Sequence, residues 1–145
     1  MVYDDVNGGD NVSVNVDEMN RLNNSININN KEIRKTQNDV EKLENYKRKL
    51  KSVLRNMDAL SSERNRKINF IPGLFKVPVK LNLFSDMMDT VSGSKYKNAI
   101  SEIDGNIERI DKKISELNHR IKYLREQNNS YVSQVKTLSK TEDSV

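Results

Sequence analysis

The chain has 145 residues, 25 Lys and Arg against 21 Asp and Glu, and a formal net charge of +4; only 34% of it is hydrophobic and 6% aromatic. It holds no Cys and a single His, His119, which removes disulfides, thiolate metal sites and a Cys nucleophile, and leaves triads and His-based metal sites without their usual parts. So polar a composition fits either disorder or long helices with a narrow apolar seam, and periodicity decides between the two.

Residues 1–15 are polar, with Gly8-Gly9 and several Asp and Asn, and read as a disordered tail. They lack the basic start and apolar stretch of a secretory signal. From residue 16 to 69 a heptad pattern sets in. One row is Met19, Ile26, Ile33, Val40, Lys47 and Leu54; the other is Leu22, Asn29, Thr36, Leu43, Leu50 and Met57. Alternating steps of three and four put all of them on one stripe of a helix. Asn15 followed by Glu18 resembles a capping box, so the helix is expected to start there. Asn29, Thr36 and Lys47 interrupt the seam, either as a tolerated wet patch or as devices that fix register. Pro72 ends the pattern.

Residues 70–93 are an apolar connector. Pro72-Gly73 signals a turn, and helical spacing from Lys80 predicts a short helix over 80–91. Phe70, Leu74, Phe75 and Phe84 form its apolar tip: a hydrophobic cap for the helices, or a surface for docking or membrane contact. No run is long enough to span a bilayer as a helix.

Residues 94–140 carry the clearest periodicity. Tyr96, Ile103, Ile110, Leu117, Leu124, Tyr131 and Leu138 form one row; Ile100, Ile107, Ile114, Ile121, Asn128 and Val135 form the other. Such an unbroken repeat argues for a coiled-coil helix, roughly 65–70 Å long at about 1.5 Å per residue. Asn128 is its polar seam residue and is expected to set register. Residues 141–145 are a polar tail. Two helices of similar length, joined by an apolar connector, predict an all-α fold: a long antiparallel two-helix coiled-coil hairpin over 16–140. Two helices make a thin core, so a second copy or a helical protein partner is expected to complete a bundle. The partner interface is expected on Tyr96, Ile100, Ile103, Ile107, Ile110, Ile114, Leu117, Ile121 and Leu124, together with the connector.

Residues 31–67 hold an excess of Lys and Arg, densest from Tyr46 to Lys51 with Arg55 following. The run has few aromatics and the seam passes straight through it, so a solvated helix face is the simpler reading than a nucleic-acid footprint. No Gly-rich phosphate loop is present, and a thin hairpin offers no pocket for paired carboxylates. The expectation is a non-enzymatic protein with no cofactor, no metal and no small-molecule substrate.

The stretch Val91-Ser92-Gly93-Ser94-Lys95-Tyr96 resembles the turn of the small helical-hairpin proteins of Gram-positive type VII secretion, the YwqH-like group of Trp-X-Gly-type proteins. Gly93 matches the family Gly and Tyr96 the aromatic that follows it, while Val91 stands where the family usually has Trp. Tyr96 to Asp104 is similar to the start of the family's second helix. The resemblance spans roughly residues 30–125. It implies a helper, or targeting chaperone, that pairs with the helical targeting domain of a secreted toxin or with a second small helical protein. Tyr123 is followed by an acid at Glu126, one position short of the family's tyrosine-acid export spacing. A cytoplasmic location is therefore expected, with export open only to a route that needs no leader peptide. The rival expectations are a structural coiled-coil homo-oligomer of a phage or surface assembly, and a membrane-touching hairpin that uses the 70–84 tip.

Overall fold

The computed structural model describes residues 7–70 and 93–144, with side chains described at all of these except 7–10, 65 and 67–70. The chain is an all-α helical hairpin of two helices. The first, α1, is Asn7–Phe70, and the second, α2, is Ser94–Asp143. The predicted 80–91 helix and the connector residues Leu74, Phe75, Phe84 and Val91 lie outside the described residues. The helices pack as two compact units, one of Met1–Glu41 with Ser115–Val145 and one of Lys42–Ile114.

In the first unit, Leu22, Ile33, Ile121 and Leu124 are buried, and Val40 packs against the cluster of Ile33, Ile121 and Leu124. Leu124 is the most enclosed, at 1% exposure. Burying a side chain of this size stabilises by about 1.5–3 kcal/mol. The helices run antiparallel: Asn29 bonds to Asn128, and Glu32, further along α1, bonds to Arg120, further back on α2. In the second unit Ile110 and Ile114 are buried. Lys47 pairs with Asp111 and Asp58 with Tyr96, again with the order reversed.

Both seams lie where the heptads put them. Every seam residue from Met19 to Met57 on α1, and from Tyr96 to Leu138 on α2, is buried or half-buried. The ends differ from expectation. α1 begins at Asn7, so residues 7–15 are helix rather than a tail. Val12, Val16 and Met19 continue the apolar spacing one turn further back. Once a helix is nucleated, each added residue costs little, which absorbs the ~1 kcal/mol penalty of each of Gly8 and Gly9. Asn15 and Glu18 consequently make no capping box: Glu18 instead accepts two hydrogen bonds from Arg21, at 2.7 and 2.9 Å. α2 likewise runs on to Asp143, with Lys140 in its last turn, where a cation is favourable.

Candidate interaction surface

Asn29 and Asn128 are both buried, at 8% and 9% exposure. The Asn29 carboxamide donates to Asn128 Oδ1 and to Gln127 Oε1, each at 2.9 Å. Asn128 donates in turn to Asn30 Oδ1 at 2.9 Å. Buried amides that satisfy one another across a seam tolerate only one register, because a slip would leave them unpaired in an apolar strip. Thr36 is buried nearby in the row.

The third polar seam residue, Lys47, keeps a side chain only 20% exposed and pairs with Asp111. The hydrogen bond that Lys47 donates to Asp111 holds its ammonium above the ordinary pKa, ahead of the opposing effect of desolvation. The hydroxyl of Tyr96 donates to Asp58 Oδ1 at 3.1 Å. This side of the second unit is thus closed by charge and hydrogen bonds. In the first unit, Arg120 bonds Glu32 at 2.9 Å and lies 5.5 Å from the centroid of the Tyr123 ring.

The nine α2 residues expected to face a partner lie along the stripe that closes the hairpin. Ile110, Ile114, Ile121 and Leu124 are buried within the chain itself, and Tyr96, Ile100, Ile103, Ile107 and Leu117 are half-buried. A hairpin of two helices has one seam on each, and closure uses it. The four buried residues can meet a partner only if the hairpin opens. Gly93 is half-buried, has no positive φ, and would place a Cβ in open space, so its local geometry does not demand glycine. The side chain of Phe70 is outside the described set.

A different face carries uncovered apolar side chains. Tyr46, Val53 and Leu60 are 53%, 43% and 66% exposed. They are seven residues apart and so share one line on α1. They interleave with Leu43, Leu50 and Met57, each half-buried. The run Leu43, Tyr46, Leu50, Val53, Met57, Leu60 repeats the three-four alternation of a coiled-coil seam. It is a second seam, rotated from the first and sharing one row with it. Further back on the same line of α1 stand Glu18, Ser25, Glu32 and Asp39, all half-buried. There the polar side chains are partly covered, whereas the apolar ones in the second unit are open. On α2 the line of Arg120 carries Lys113, Asn106 and Ala99 in the second unit; the last two are too short to reach over a neighbour as Arg120 does. The sequence holds this signal, although the surrounding lysines make it read as a basic face.

No known protein family, no curated protein and no solved structure matches this chain. Among the described residues, no group of His, Cys, Asp and Glu is placed to hold a metal ion. His119 is exposed, and its Nδ1 donates to the Ser115 carbonyl at 2.7 Å. An open depression of about 700 Å³ lies against Ser61, Arg64, Gly93, Ser94, Tyr96, Lys97 and Asn98 in the second unit.

Proposed function

We propose that the protein is a non-enzymatic helical adaptor that completes a helical bundle with a protein partner. The observation that carries this reading is the second seam on α1, from Leu43 to Leu60, whose apolar side chains stand open beside a hairpin interface already closed. Water-exposed apolar rows at coiled-coil spacing are the surface that a further helix covers. Covering them removes apolar area at about 25 cal/mol per Å².

The resemblance to type VII hairpin proteins implies as partner the helical targeting domain of a secreted toxin or a second small helical protein; we take the first, met in the cytoplasm in the manner of a targeting chaperone. Among the described residues no helix is long and apolar enough to cross a membrane. The test is co-purification of the chain with such a targeting domain, alongside Leu60→Asp and Val53→Asp. A stoichiometric complex formed by the unaltered chain and lost in both variants supports the reading. Failure to form a complex, or equal binding by the variants, would refute it.

A further inference from the structure

We propose that the helix that fills the second seam of α1 is α1 of a second copy, lying antiparallel about a two-fold axis between Lys51 and Ser52. The inference rests on the reading that this face completes a bundle: the second copy covers the face in the free protein, and a toxin targeting domain binds there only by displacing that copy.

Steps of three and four read the same in either direction, so the row can pair with itself. With the axis between residues 51 and 52, Leu43 meets Leu60, Tyr46 meets Met57 and Leu50 meets Val53. Each open side chain then has an apolar partner. The charges at the edge discriminate between orientations. The positions flanking the stripe on its solvent side, one heptad apart, are Lys42, Lys49, Asn56 and Glu63, and all four are exposed. In the antiparallel pair Lys42 of one copy stands opposite Glu63 of the other, twice over, and Lys49 opposite Asn56. In a parallel pair each flank would face the opposite flank of the partner, which sets Lys42 against Lys47 and Lys49 against Leu54 with no acid opposite either lysine. Flanking charges of this kind set the orientation of helix pairs. The next row outward holds Asn45, Ser52 and Ala59, so nothing bulky or charged crowds the axis.

The two-fold also places the row's shortest apolar side chain, Val53, beside Leu50 at the centre, and its largest, Tyr46, away from it with the hydroxyl able to reach water. Because the stripe shares Leu43, Leu50 and Met57 with the hairpin's own seam, self-pairing would bury the half-exposed edges of that seam as well. The result is a four-helix core built from two hairpins.

The test uses the full chain. Light scattering over a concentration series is expected to show a dimer. Val53→Asp and Leu60→Asp should each raise its dissociation constant at least a hundredfold with helicity retained, while Ile28→Asp, at another exposed apolar site (55%), changes it less than threefold. Spin labels at Ser52→Cys and at Arg66→Cys then read the orientation. At about 1.5 Å rise per residue, an antiparallel dimer brings the Ser52 labels within roughly 25 Å and separates the Arg66 labels by about 45 Å.

A chain that stays monomeric, a dimer indifferent to both Asp variants, or two label pairs at equal short distance would each overturn the proposal. A monomer whose stripe variants lose a toxin targeting domain would leave the adaptor reading standing with a different occupant. A monomer whose variants bind that domain unchanged would remove both.

Discussion

Replacing Asn29 and Asn128, singly and together, tests whether the amide pair sets the register of the first unit. Each is at least nine-tenths buried, and together with Gln127 and Asn30 they make three hydrogen bonds of 2.9 Å. A typical bond contributes about 0.5–1.5 kcal/mol net, and a stranded buried amide costs about 1–3 kcal/mol. Asn128→Ala breaks two of the three bonds and leaves the Asn29 amide facing an apolar strip, though Gln127 still accepts from it. About 2 kcal/mol of destabilisation is expected, and a similar loss is expected for Asn29→Ala. Asn29→Leu with Asn128→Leu should behave oppositely, neutral or stabilising by about 1 kcal/mol, because the two acceptors that lose their donors, half-buried Gln127 and exposed Asn30, can turn to water. The assay is urea unfolding followed by helicity, analysed as a double-mutant cycle, with a coupling of at least ~1 kcal/mol expected between the two sites. The double Leu chain should also broaden the distance distribution between labels at Asn23 and Ser133, since register is then less strictly fixed. Additive single effects, each under ~0.5 kcal/mol, would refute the argument and mean that water satisfies these amides in solution.

Other outcomes follow from burial and charge. Leu124→Ala should cost about 2–4 kcal/mol in the same assay, at the level of a core truncation, because Leu124 is fully enclosed. Gly105→Ala should stabilise by about 0.5–1 kcal/mol; an added Cβ there meets only Arg109 Nη2, at 3.7 Å. The Lys47–Asp111 pair raises the pKa of Lys47, so its contribution is fully present below the unfolded value near pH 10 and is lost as pH climbs through the raised folded value. Thermal melts of the unaltered chain should therefore show a fall above about pH 10 that Lys47→Met lacks.

Much of this architecture is legible in the sequence. A strict three-four alternation fixes which face of each helix is covered, and every expected seam residue is at least half-buried. Asn29 and Asn128 stand out as polar entries in that pattern. Their mutual pairing does not, because it depends on the hairpin's register, which the spacing of either helix alone leaves open. The start of α1 is hidden for another reason: Gly8-Gly9 and the Asn15-Glu18 pair are local signals for a boundary, and cooperative elongation overrides them. The open stripe is present in the sequence as a second alternation through Tyr46, Val53 and Leu60. It becomes visible as a surface only when the structure leaves Tyr46, Val53 and Leu60 exposed. Of the residues expected to face a partner, Ile110, Ile114, Ile121 and Leu124 are buried within the chain itself, since periodicity alone does not say which helix a stripe meets.

On the proposed reading two seams do two jobs, one closing the hairpin and one meeting a further helix. It is tested most directly by the solution mass and helicity of Leu60→Asp beside Ile110→Asp, measured together on one column. Leu60→Asp is expected to stay helical and shed its association, whereas Ile110→Asp, which forces a charge into a site only 8% exposed, loses helicity at a cost of several kcal/mol. An Ile110→Asp chain that stays fully helical while Leu60→Asp remains associated would contradict it.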